Sequence, residues 1–166
     1  VTVRDDYART TQRASTRELP PALRDALVSA ARQVQVEDLD ARASHLVLTH
    51  ARRTKAAGFF ARVLGGDTDP EHWCALAVTP KAVLVGTHGA HRGTWVRTLP
   101  IDTLELESMP ALAGELAERT VLLSSPVLGQ GSTHPRGSFA VVFASKDDAD
   151  AARSALEDAR AAHWRG

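Results

Sequence analysis

The sequence predicts an α+β domain in which short antiparallel strands are closed off by a long C-terminal helix and preceded by an N-terminal helix. Three observations carry this. Residues 146–163 place Ala149, Ala152, Leu156, Ala159 and His163 at alternating spacings of three and four, the period of one helix face. From Ser44 onward the pattern changes to short runs rich in Val, Leu and Thr, separated by Pro and Gly, which is the signature of strands and tight turns. Ahead of them, Leu19, Leu23, Leu27 and Val34 recur at helical spacing behind Pro20-Pro21, a pair suited to a first turn. At 166 residues, one core is the expectation.

Composition narrows the functional classes. Twenty basic and 20 acidic side chains balance to zero, so the field of the whole molecule does not favour nucleic acid, and none is expected as a partner. Cys74 is the only cysteine, which excludes an intramolecular disulfide and a cysteine-rich zinc site and is compatible with a reducing compartment. The first residues include acids and lack an apolar stretch, so they do not read as a secretory signal. No apolar run approaches the roughly 20 residues that span a bilayer. A cytoplasmic protein with no transmembrane segment is the expectation. Abundant Ala, Arg and Asp with little Lys suggest a GC-rich bacterial source.

Taken in order, residues 1–18 are polar, with Arg4, Arg9, Arg13 and Arg17 in no burying period, and read as a tail. A helix follows over about 21–34, and 36–43 either extends it or forms a loop. Runs 45–50, 59–64, 73–79 and 82–87 read as strands. Thr79-Pro80-Lys81 and the glycine-bounded 88–93 read as the turns joining neighbouring strands, giving a meander that continues through 94–99. Ile101, Leu104 and Leu106 suggest a further strand after Pro100. A short helix is allowed over 108–118, a strand over 120–124, an exposed Gly/Pro loop over 126–137 and a last strand over 138–144. Ser145 is placed to cap the final helix, with Asp147, Asp148 and Asp150 near the positive end of its dipole, and Trp164 reads as an anchor behind it.

The order of strand, Thr-Pro-Lys turn, strand, Gly turn, strand and terminal helix resembles the pleckstrin-homology-like fold, in its bacterial versions. The residues that carry the resemblance are Leu76–Val85 for a hairpin of two core strands, Thr94–Leu106 for the next strand with its proline and its Ile101-Asp102 pair, and Phe139–Ala149 for the last strand entering the helix. It covers about 44–164. The resemblance implies a partly open antiparallel β-barrel or sandwich of about seven strands capped by the C-terminal helix. It divides the chain into 1–43, a polar tail and amphipathic helix, and 44–166, the PH-like barrel. It also implies binding of proteins or lipid headgroups and no catalysis.

Candidate sites follow from charge and from nucleophilic or metal-ligating side chains. Residues 41–66 hold Arg42, Arg52, Arg53, Lys55 and Arg62 and no acid. In pleckstrin-homology domains the loop between the first two strands often supplies basic residues for phosphorylated headgroups. Arg52, Arg53, Lys55 and Arg62 are therefore the candidate ligand-binding residues, for an anionic lipid or a phosphorylated ligand. His88 and His91, joined by His72 or His134, suggest a metal, but zinc needs three or four converging ligands. Solvated turn histidines are the plainer reading. Cys74 has no Cys or His partner at a useful spacing and reads as an inert buried thiol. Gly129-Gln-Gly-Ser132 lacks the strand-to-helix context of a nucleophile elbow, and no glycine-rich run completes a phosphate loop. No cofactor is expected. The leading expectation is a non-enzymatic module binding an unidentified protein through a strand edge or loop. Peripheral binding of anionic lipid comes second, and a metal-dependent enzyme built on His88 and His91 third.

Overall fold

The computed structural model describes residues 6–54, 69–107, 114–125 and 137–165. Its first strand, β1 (Tyr7–Arg13), runs antiparallel to β2 (His45–Arg53). Between them lie a 3-10 turn at Thr16–Glu18, helix α1 (Pro21–Gln33) and the single-turn helix α2 (Leu39–Arg42). Strands β3 (Glu71–Val78), β4 (Ala82–Gly89) and β5 (Gly93–Pro100) complete a sheet ordered β1-β2-β3-β4-β5. A second sheet, ordered β6-β7-β8, is made of β6 (Glu105–Glu107), β7 (Thr120–Ser125) and β8 (Gly137–Val142). Helix α3 (Glu115–Glu118) precedes β7, and α4 (Lys146–His163) follows β8.

The architecture is thus α+β with two antiparallel sheets and helices at both ends. Among the described residues no strand pairing joins the sheets, so they are not closed into a barrel, and the described strands number eight where about seven are expected. The extra strand is β1, which replaces the polar tail read from 1–18. Its side chains are half-buried and exposed in alternation, so its composition carries no hydrophobic face, and it is held instead by pairing with β2. Its burial comes from cross-strand contacts that only the fold supplies.

Local chemistry explains most boundaries. Pro21 starts α1, where a missing N–H costs nothing. The helix ends in a Schellman motif: Val36 N–H donates to the Ala31 carbonyl and Gln35 N–H to that of Arg32, both at 2.9 Å, with Gln35 at φ 61°. The Thr79-Pro80-Lys81 turn forms as expected. Thr79 Oγ1 accepts from Ala82 N–H at 3.1 Å and donates to the Ala82 carbonyl at 2.7 Å. Ser145 caps α4, its hydroxyl accepting from Asp148 N–H at 3.2 Å. Ile101 and Leu104 are buried in a turn ahead of a three-residue β6, not in one long strand, because the chain crosses here between sheets and Ile101 N–H is spent on the Lys81 carbonyl. The expected strand at 59–64 and the loop at 126–137, apart from Gly137 in β8, lie outside the described residues, as does the first part of the 108–118 helix.

Two apolar clusters lie on opposite faces of the five-stranded sheet. On one face α1 lays Leu23, Leu27 and Ala31 over Leu46, Leu48, Ala75, Ala77 and Leu84. Gly86 makes the close approach possible, since a Cβ there would sit 2.8 Å from Leu23 Cδ1. On the other face Val47, Leu76, Val83, Val85 and Leu99 pack against Val121, Leu123, Val141 and Phe143 of the second sheet and against Ala149, Ala152 and Leu156 of α4. The small alanines let the helix seat closely. Trp164 is not an anchor: it is 71% exposed, because α4 passes the edge of the core near Ala159 and leaves His163 and Trp164 beyond it.

Candidate functional site

Helix α1 packs mainly on β4 and β5, which leaves the β1–β2 end of that sheet face beside it. Side chains on adjacent antiparallel strands stand opposite one another in register. On β1, Ala8 and Thr10 are short; on β2, their opposites Arg52 and His50 are long. Small beside large leaves a groove of about 480 Å³, lined by Ala8, Arg9, Thr10, His50, Arg52, Arg53 and Thr54, which is within the size range of small-molecule sites.

The basic residues read from the sequence divide here. Arg52 and Arg53 are neighbours on a strand, so their side chains leave opposite faces. Arg52 is exposed on the groove side. Arg53 stands over the Tyr7 ring, with its Cζ 5.0 Å from the centroid, and donates through Nη2 to Tyr7 Oη at 2.7 Å. Arg9 covers the same ring at 5.4 Å. Tyr7 in turn donates its hydroxyl to the Asp69 carbonyl at 3.0 Å and meets His72 edge-on at 4.9 Å. Lys55 and Arg62 lie outside the described residues.

Asp69 is a buried carboxylate, 1% exposed, at the far side of that cluster. It accepts from His91 N–H at 2.6 Å, Arg92 N–H at 3.2 Å and Arg92 Nε at 2.9 Å, and so fixes the turn between β4 and β5. Burial pushes its carboxyl up, but the His91 and Arg92 donors together outweigh burial and hold it below the usual carboxylate value.

The histidines considered as metal ligands do not converge. His91 Nδ1 lies 3.1 Å from Asp69, while His88 pairs with Thr94 Oγ1 at 2.6 Å on the α1 face of the sheet. His72 is buried beside Tyr7, and His134 lies outside the described residues. Among the described residues no group of three or more His, Cys, Asp or Glu is placed to hold a metal ion. Burial pushes the Cys74 thiol up to about 11, against the weaker pull of Arg92 and Arg9, so the thiolate that a nucleophile requires is scarce at neutral pH.

Sequence reasoning missed Thr10, His50, Trp73, Tyr7 and Asp69. Of these only Trp73 was within reach: the Thr79–Lys81 turn fixes the β3–β4 register, which puts Trp73 opposite His88, whereas Thr10 and His50 join the row through the β1–β2 and β2–β3 pairings. Tyr7 and Asp69 were not, since Tyr7 acts through Arg53 and Asp69, more than 40 residues away, and the Asp69 carboxylate through His91 and Arg92, more than 20 away. No protein-family model and no curated protein matches the chain. No helix among the described residues is long and apolar enough to cross a membrane.

Proposed function

We propose that the chain is a non-catalytic binding module of the pleckstrin-homology-like class that engages a protein partner along the outer edge of β1. Support for the class is the element order. Strands β2–β5 form one sheet run, β6–β8 a second, and α4 packs on the core, which is the four-plus-three-plus-helix order of that fold. Segment β1–α1 is an addition to it, placed on the sheet's outer face and edge.

The observation that carries the partner surface is β1 itself. Among the described residues its backbone ladder is paired on the β2 side only, and Ala144 N–H reaches it through the Thr11 hydroxyl, at 2.9 Å, and not through its backbone. A sheet edge is the surface on which an extended peptide adds as a further strand. Placing a photo-crosslinking residue at exposed Gln12, against a control at exposed Ser154 on α4, tests this in the native cell. A discrete protein adduct at Gln12 that is missing at Ser154 is the expected result. Equal labelling at both, or none at Gln12, would refute the edge.

A further inference from the structure

The groove continues a stack that the sheet itself begins. Thr10, His50, Trp73, His88 and Thr94 stand directly opposite one another across β1 to β5, on the face that carries α1. The three central residues are rings. His50 and Trp73 lie 5.0 Å apart and 10° from parallel, and Trp73 and His88 lie 5.8 Å apart at 34°. Both faces of the indole are therefore covered from within the chain. Among the described residues His50 has a ring, the indole, on one face only. Its other face is turned toward β1, where Thr10 supplies no ring and the groove opens. Neighbouring strands are spaced about 4.8 Å apart, close to the distance at which rings stack, so the space over Thr10 is the next position in the row.

Charge completes the description of what fits there. Arg52 projects on the same face, exposed and two residues along from His50; it stands opposite Glu71 of β3 without an ion pair between them. Arg9 and Arg53 add positive charge to the groove's edge. The nearest opposing group is the Glu71 carboxylate, which is engaged with His50 Nε2 and fixes that ring's edge. A bare anion would use the arginine and ignore the rings; a neutral ring would do the reverse.

We propose that this groove is a binding site for a small planar aromatic anion, its ring stacked on the open face of His50 over Thr10 and its anionic group held by Arg52. The site is independent of the partner edge proposed above, and either can fail without the other.

Calorimetric titration of the full chain with adenosine 5′-monophosphate, adenosine and inorganic phosphate tests the proposal. The monophosphate is expected to bind one to one, about tenfold or more tighter than either half of it. Arg52→Ala should weaken the monophosphate about tenfold and leave adenosine unchanged. Thr10→Phe places the chain's own ring in the slot and should abolish binding without lowering the thermal midpoint. His50→Leu, which removes the stacking face at similar volume, should give the same loss and stands in if the Phe variant does not fold. With Trp95 and Trp164 both replaced by Phe, the remaining tryptophan fluorescence is that of Trp73 and should change on titration. The proposal is overturned by no heat with the monophosphate at millimolar concentration, by inorganic phosphate binding as tightly as the monophosphate, or by unchanged binding in both Thr10→Phe and His50→Leu. Arg52-dependent sedimentation with phosphatidylglycerol vesicles that Thr10→Phe leaves intact would reassign the groove to a membrane surface and overturn it likewise.

Discussion

Asp69 connects distant parts of the chain through both its carboxylate and its backbone carbonyl. Its carboxylate holds the turn between β4 and β5, and its carbonyl receives the Tyr7 hydroxyl from β1. Replacing it with Asn keeps the shape and one acceptor oxygen but removes the negative charge that faces the Arg92 guanidinium, and should cost about 2 to 3 kcal/mol at neutral pH. Because the native carboxyl is held below its usual value, its contribution is complete above the unfolded value near pH 4 and is lost as pH falls through the lower native one. Denaturant unfolding of both chains from pH 7 to pH 2 measures this. The pH-dependent part of their difference should disappear at the acid end, and a constant difference would disprove the charge role. None of this was legible in the sequence. Asp69 stands next to Pro70 and two residues after Asp67, in a stretch that reads as a polar loop, and the partners that give it meaning are Arg92 and Tyr7.

At the scale of elements, α4 and β1 mark the two extremes of what sequence can convey. The helix from Lys146 to His163 was readable because its cap, its acidic first turn and its apolar spacing all act within a few residues. Leu156 is fully buried on that face. Leu156→Asp places an unpaired charge in the core and should destabilise by about 4 kcal/mol, whereas Leu156→Met should cost under about 1.5 kcal/mol. Thermal midpoints of the two variants test the assignment, and equal midpoints would contradict it. Strand β1 was illegible for the opposite reason. Tyr7, Arg9, Thr11 and Arg13 share one face with Arg53, Ala51, Thr49 and Val47, and what steadies them is a ring under two guanidinium groups and a pair of threonine hydroxyls 2.9 Å apart. Such contacts have no hydrophobic period. The same holds for the groove: Arg52 could be read as a basic residue, but the row from Thr10 to Thr94 exists only once five strands are in register.

For the molecule as a whole, the decisive feature is that the five-stranded sheet is apolar on both faces. A sheet covered on one face alternates apolar and polar residues, whereas β2, β3 and β4 carry near-continuous buried runs, from His45 to Thr49, Ala75 to Val78 and Ala82 to Thr87. The second sheet and α4 cover one face, and α1 with the residues around it covers the other. Residues 6–43 are therefore bound into the fold: β1 is hydrogen-bonded to β2, and Leu23 and Leu27 are fully buried. Cutting the chain at residue 43 would expose Leu46, Leu48, Ala75, Ala77 and Leu84 as one patch and turn β2 into a new bare edge. The chain 44–166 should accordingly self-associate and lose a cooperative thermal transition, as size-exclusion chromatography and calorimetry would show. Adding a separate peptide spanning 6–43 should restore solubility, since it returns both the strand and the helix face. A monomeric 44–166 with a sharp transition would mean that the second sheet and α4 suffice, and that α1 is a docked accessory and not a wall of the core.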